Sequence, residues 1–226
     1  MVKMELDYIM KLGGSLLTDL DKTKILLSRI QNSRNRNVAY TVGSGYMGDV
    51  YNSWIKDENH LTIPFENSIK IWSDIQSINA NLLASLNSNF VVCNNQDEMN
   101  RAIAENKRPI LDAVGFHQNF KCLQYQTTDV RTAYLCHKLG CQNLIIVTDV
   151  DGIYEDDPKK NSEARKIRQI KAQNLKDMGR TSVDQGLADM LIEYGINAYV
   201  VGIDGLVAGK DLSKESMEEH GTVIEH

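Results

Sequence analysis

Lys11-Leu12-Gly13-Gly14-Ser15 puts a lysine and a glycine turn directly after a short run of strand-forming residues. Glycines let backbone N–H groups come close to an anion, and a lysine supplies the fixed positive charge that phosphoryl transfer needs as charge builds on the transferred oxygens. A second glycine loop, Gly43-Ser44-Gly45, follows the run Val38-Ala39-Tyr40-Thr41-Val42. An acidic loop, Thr148-Asp149-Val150-Asp151-Gly152, follows Asn143-Leu144-Ile145-Ile146-Val147. Lys11-Leu12-Gly13-Gly14-Ser15 matches neither GxGxxG nor GxxxxGK[ST], so dinucleotide-fingerprint and P-loop folds are disfavoured. Each residue also has a plainer explanation. Lys11 could be a solvated lysine at a strand end, Asp149 and Asp151 could cap the next turn, Tyr154 could be a packing aromatic, and Asp129 could be the N-cap of a helix over 130–139.

The elements that must hold these loops follow from periodicity. Apolar residues at helical spacing predict helices over 21–30, through Val50 and Trp54, over 69–86, 96–105, 128–139 and 183–194. Short apolar runs predict strands at 7–12, 38–42, 90–93, 109–111, 143–147 and 198–201, with a closing strand near Thr222-Val223-Ile224. Residues 112–127 carry no readable pattern beyond an irregular loop. Strands separated by helices imply βαβ units, hence an α/β fold: a three-layer α/β/α sandwich with a mainly parallel central sheet. Right-handed crossovers gather the strand C-termini, with their loops, along one sheet edge, where open α/β sheets bind ligands.

Composition narrows the function. A chain of 226 residues that is 42% apolar can bury roughly 70–75% of its unfolded surface without metal or disulfide support. Cys93, Cys122, Cys136 and Cys141 form no CxxC pair, so reduced thiols packed as small hydrophobes are expected, and no metal site. A net charge of −5 argues against a nucleic-acid partner. No apolar run approaches the ~20 residues needed to span a bilayer and no secretory h-region opens the chain, so no membrane partner and a cytoplasmic location are expected. The 69–86 helix has enough apolar width for a subunit interface, or for an ordinary core position.

KLGGSLL at 11–17, VGSG at 42–45, TTD at 127–129 and TDVDGIYEDDPKKNSEARKI at 148–167 resemble, in order and spacing, the amino-acid-kinase superfamily, particularly its uridylate-kinase-like branch of short archaeal type. The resemblance implies ATP and Mg²⁺, a small-molecule acceptor of phosphate or carboxylate type, and a homo-oligomer, dimer or hexamer. With no linker composition, low-complexity tract or internal repeat, one domain over 1–226 is expected, with an acceptor-side lobe at about 1–140 and a nucleotide-side lobe at about 141–226. By position, Lys11 would bridge the transferring phosphoryl, and Gly13, Gly14 and Ser15 would touch phosphates. Thr148, Asp149, Gly152, Tyr154, Asp157 and Pro158, with Lys159 nearby, would form the adenine and ribose pocket. Gly43, Ser44 and Gly45 would face acceptor and phosphates, Thr127 and Thr128 would bind acceptor, and Asp129 would orient the lysine.

The chain departs from that pattern in two places. Asp49 stands where uridylate kinases carry an arginine that grips the acceptor phosphate, and an aspartate there would repel it. The stretch 184–191 has Asp189 and none of the late-helix lysine many members carry. Thr181-Ser182-Val183-Asp184 with Asn197-Ala198-Tyr199-Val200-Val201 is similar to the kinase of methanofuran biosynthesis. Leu139-Gly140-Cys141 and Gly205-Leu206-Val207-Ala208-Gly209 are similar to the molybdenum storage protein. The alternative function is therefore an ATP-binding storage or binding protein on the same fold.

Overall fold

The computed structural model describes residues 5–33, 37–56, 63–119, 127–178, 181–208 and 214–226. Its centre is an eight-stranded sheet. β1 (Tyr8–Leu12) pairs in parallel with β2 (Val38–Val42) on one side and β5 (Asn143–Thr148) on the other. β4 (Arg108–Leu111) and β3 (Phe90–Cys93) extend the sheet beyond β2. β9 (Asn197–Gly202), β10 (Gly221–Glu225) and β8 (Gln169–Lys171) extend it beyond β5. Only the β9–β10 pairing is antiparallel within this sheet. β6 (Ile153–Tyr154) and β7 (Lys166–Ile167) form a separate antiparallel pair after β5.

Strand alternation divides the core into two layers. Ile9, Leu144, Ile146, Ala198 and Val200 face one side, packed against α4 (Gln96–Ala104), α5 (Ala113–Asn119), α6 (Thr128–Leu139), α7 (Ala172–Lys176) and α8 (Leu187–Tyr194). Met10, Leu12, Ile145, Val147, Tyr199 and Val201 face the other, against α1 (Leu20–Asn32), α3 (Phe65–Leu86), α9 (Ile203–Ala208) and α10 (Lys214–His220). The sheet is mostly parallel and buried on both faces, as the near-continuous apolar strand runs require. The helix after β1 lies on one face and the helices after β5 on the other, so the crevice between their C-terminal ends is a switch point of the sheet.

Several element boundaries differ from the periodic reading. The helix expected from 183 begins at Leu187, because 181–186 is drawn into polar contacts described below. Part of the stretch expected to be irregular is α5, closed over β4 through Phe116, which is fully buried; residues 120–126, including Cys122, lie outside the described residues. Cys93, Cys136 and Cys141 are buried free thiols. α3 is longer than expected, and its stripe is inverted in part. Ile78 and Leu82 are exposed, while Ser73, Gln76 and Asn79 are buried with Ile69, Ile75, Ala80 and Leu83.

The loops after β1 and β2 meet backbone to backbone. Gly13 donates to Val147 O at 2.8 Å and Gly43 donates to Leu12 O at 2.8 Å, prolonging the sheet pattern into both loops. A 3-10 turn at Gly14–Thr18 follows, and α2 (Gly45–Lys56) opens at Gly45 in the left-handed region, φ +56°. A Cβ on Gly14 would overlap the backbone of Gly45, and one on Gly45 would overlap the backbone of Gly14. Gly14→Ala should therefore separate the loops and cost about 1–3 kcal/mol or more of stability. Urea unfolding measures this, and an unchanged midpoint would mean that the two loops are not locked together.

Candidate active site

Lys11 leaves the sheet at the C-terminal half of β1, where its neighbours across the strands are Thr41 and Ile146. Its Nζ lies 2.6 Å from Asp129 Oδ1, and the two side chains are 15% and 3% exposed. Asp129 is not the N-cap of its helix. That position is held by Thr127, in extended backbone, while Asp129 sits inside the first turn of α6. Thr127 makes no side-chain cap bond to its own helix. The Asp129 N–H instead donates to Asp184 Oδ2 at 3.1 Å, and the Asp184 N–H donates back to Asp129 Oδ2 at 3.0 Å. Two segments 55 residues apart thus cap one another with carboxylates, and both carboxylates act on Lys11.

Burial alone would favour the neutral amine of Lys11, but the charge and hydrogen bond of Asp129, with the charge of Asp184, outweigh it and raise its pKa. Asp184 is shifted the other way for a carboxylate: burial first, then the nearby Asp129 charge, raise its pKa against the opposing pull of Lys11. Asp184 was given no site role from sequence, where it stood inside the helix expected over 183–194.

An open cavity of 570 Å³ lies beside this cluster. Of the residues expected to act, it gathers Lys11, Gly14, Gly43, Ser44, Gly45, Thr127 and Thr128 on its wall, with Asp184. Asn52, Phe65, Ser68, Ile69, Trp72, Gln76 and Arg131 complete it. The polar residues on the buried face of α3 are explained here. Asn79 Nδ2 donates to Gly43 O at 2.8 Å and Ser44 O at 2.9 Å, fixing the second glycine loop, and Gln76 Nε2 donates to Thr128 Oγ1 at 2.7 Å. Polar residues at core spacing in an otherwise apolar helix were the signal available in the sequence.

Asp49 is exposed on α2 and is absent from the described cavity wall, so the repulsion expected from it does not arise inside the cavity. Asp189 pairs with Lys176 at 2.6 Å, away from this wall. His117 is buried in α5, with Nδ1 3.2 Å from Ser73 Oγ; burial and then the charge of Arg131 lower its pKa to about 3, so it is neutral at physiological pH. Gly13 cannot offer its N–H to a phosphate, because Val147 O already accepts it.

Most of the remaining expected residues do not line the cavity; they lie at the end of β5 and after it, across the β1–β5 crevice. Asp149 accepts from Lys159 Nζ at 2.7 Å and from Thr148 Oγ1 at 3.2 Å, and the Lys159 bond is the main reason its pKa is lowered. Asp151 accepts from Tyr154 Oη at 2.5 Å and from Lys166 Nζ at 3.0 Å. The first of these bonds pushes the Tyr154 phenol up to about 12. Gly152 has φ +144°, and a Cβ there would press on Thr222 Oγ1, the acceptor for the Ile153 N–H. Asp157 and Pro158 form a turn in which Lys159 N–H donates to Asp157 Oδ1 at 3.0 Å. Ser15 stays on the first loop, half-buried.

Residues 8–202 match the family described as "Amino acid kinase family". The chain is 32% identical to the uridylate kinase of Thermococcus kodakarensis over 235 residues, covering 96% of this chain and 98% of that one. It is 26% identical to the [5-(aminomethyl)furan-3-yl]methyl phosphate kinase of Methanocaldococcus jannaschii, covering 86% and 87%. Among solved structures, uridylate kinase from Archaeoglobus fulgidus superposes with a TM-score of 0.69 at 21% identity, covering 97% of this chain and all of that one.

Two substitutions separate the members of the cluster. Asp129→Ala strands a mostly buried ammonium and should cost about 3 kcal/mol or more. Asp184→Asn should do the reverse. The folded chain holds the Asp184 proton more tightly than the unfolded chain, so its charge lowers stability as pH rises above about 4. The variant should therefore show a higher urea midpoint than the parent at pH 7, with the gain fading toward pH 4. A lower midpoint at pH 7 would mean that Asp184 serves mainly as a structural cap.

Proposed function

Since the chain belongs to the amino acid kinase family and is a phosphotransferase, we propose that it transfers the γ-phosphoryl of ATP to a small phosphate- or carboxylate-type acceptor. The single observation that carries this reading is the Lys11–Asp129 pair, whose lysine lines a cavity walled in part by two glycine loops. In this reading Lys11 neutralises the transferring phosphoryl, held in position by Asp129, and catalysis is positioning plus charge stabilisation. Gly14 and Ser15 contact phosphates from one side and Gly43, Ser44 and Gly45 from the other. Thr148, Asp149, Gly152, Tyr154, Asp157, Pro158 and Lys159 hold adenine and ribose across the crevice, in the nucleotide-side lobe. Thr127 and Thr128 meet the acceptor in the other lobe.

The hydrogen bonds of the site support an acceptor that is already an anion. Asp129 and Asp184 are both bound to backbone N–H groups and act on Lys11, and His117 is buried and off the cavity wall. A hydroxyl acceptor would need a free general base. A phosphate or carboxylate oxygen attacks without one. Mg²⁺ fits as a companion of the nucleotide, held mainly by phosphate oxygens and water, with Asp184 as the carboxylate on the cavity wall. Exposed Ile78 and Leu82 on α3 support a homo-oligomer.

ATP consumption measured across UMP, other nucleoside monophosphates, phosphorylated amines and amino-acid carboxylates tests the reading. One acceptor should give a phosphorylated product, and Lys11→Ala should lower kcat by about a thousandfold or more with the fold intact. ATP binding with no product from any acceptor would favour a storage or binding protein. Turnover retained in Lys11→Ala would move the phosphoryl site elsewhere.

A further inference from the structure

Resting on the kinase reading above, we propose that Ser182 is a positioning residue. Its hydroxyl ties the nucleotide-side turn at Gly152 to the Lys11 cluster, so that the γ-phosphoryl arrives in line with Lys11. The residues expected to act come from two separate regions: Lys11 and Asp129 belong to β1 and α6, whereas Gly152 and its neighbours follow β5. The short segment Thr181-Ser182-Val183-Asp184 touches both. Ser182 Oγ donates to Gly152 O at 2.8 Å. Two residues on, the Asp184 N–H donates to Asp129 Oδ2 at 3.0 Å, and Asp184 Oδ2 accepts from the Asp129 N–H at 3.1 Å. Val183, between them, is buried in the core layer of α6 and α8. Gly186, just beyond, comes so close to α6 that a Cβ on it would press on Val130 Cγ2 at 3.1 Å. The segment is thus anchored at the cluster, and Ser182 is the point from which it also reaches the nucleotide side.

The group that Ser182 meets needs such a partner. Gly152 is buried, with φ +144°, and a buried backbone carbonyl without a hydrogen bond is costly. On the other side of the same turn, the Ile153 N–H donates to Thr222 Oγ1 at 2.8 Å, at the start of β10. The turn is therefore pinned from β10 on one side and from the segment ahead of α8 on the other. The second anchor is the one that also holds Asp129. In the transfer, an anionic acceptor oxygen forms its bond to the γ-phosphorus as the bond to the bridging oxygen breaks, and ADP leaves with the electron pair. Misplacing the reacting atoms by about 1 Å can cost about a hundredfold in rate. Ser182 does not line the cavity, so it acts through Gly152 and Asp184 and not on those atoms. Loss of its hydroxyl leaves both half-sites in place but frees them to shift against each other. That lowers kcat and spares the affinities.

The test uses the intact chain with Ser182→Ala, Ser182→Thr and, as a control, Thr181→Ala, whose hydroxyl bonds to the Val183 backbone inside the same segment. With an acceptor found by the panel, Ser182→Ala should lower kcat by about tenfold to a hundredfold, while the KM values for ATP and acceptor each stay within about twofold. Ser182→Thr keeps the hydroxyl and should recover most of the rate, and Thr181→Ala should leave kcat unchanged. Amide hydrogen exchange in the ligand-free chain reads the same tie without turnover. The Asp129 and Asp184 N–H groups should exchange about fivefold faster or more in Ser182→Ala, while the amides of β1 and β5 keep the parent rate. If the panel yields no acceptor, the kinase reading fails and exchange alone decides whether the tie exists. The assignment is overturned by an unchanged kcat, or by a KM for ATP that rises with kcat preserved. It is equally overturned if Ser182→Thr is as slow as Ser182→Ala, if Thr181→Ala is as slow as either, or if exchange at Asp129 and Asp184 stays at the parent rate or quickens equally throughout the sheet.

Discussion

One mostly buried ammonium organises this protein. Lys11 is carried into the interior by a central strand, and a charge there is tolerated only if carboxylates meet it. Asp129 comes from the first turn of α6 and Asp184 from the segment ahead of α8, and each carboxylate caps the backbone of the other's segment. The sheet, the acceptor wall and the start of the last helical layer are tied at one point. The arrangement is not optimised for stability, since burial and the nearby Asp129 charge both raise the Asp184 pKa. Titratable groups perturbed in this way beside a cavity mark a candidate functional site.

Around that point the backbone is packed closely. Gly13 and Gly43 extend the hydrogen-bond pattern of the sheet past its strands, and Gly14 and Gly45 then touch without side chains between them. Asn79 reaches from α3 to hold two successive carbonyls of the second loop. A loop so fixed presents its remaining groups in one geometry, and fixed donors are worth more to a transition state than mobile ones. Besides the two glycine loops, the cavity wall draws on α2, α3 and α6.

Much of the fold was legible in the sequence. The apolar runs at β1, β2 and β5 and the helical stripe of α6 are strong because both faces of a parallel sheet are buried. The reading failed where tertiary contacts override local pattern. The helix expected from 183 starts four residues later because Ser182 donates to Gly152 O and Asp184 is bonded to Asp129. α3 was read from its isoleucines and leucines, yet Ile78 and Leu82 face outward while Ser73, Gln76 and Asn79 face in. Helical periodicity identifies a stripe, but not which side of it the site occupies.

The sequence by itself determined the family and the α/β class and located the glycine and acidic loops that follow strands, because glycines after strands and the 148–158 stretch are local signals with local causes. Only the tertiary structure decided how those loops are used. It spent the Gly13 N–H on Val147, turned Asp49 outward, and made Asp184 a partner of Lys11 across 55 residues from Asp129. It also put Arg131, one unremarked residue of a helix, on the wall of the cavity. Long-range charge pairing leaves no periodic trace in the chain, so the Lys11–Asp129–Asp184 cluster emerges only when the helices are packed on the sheet.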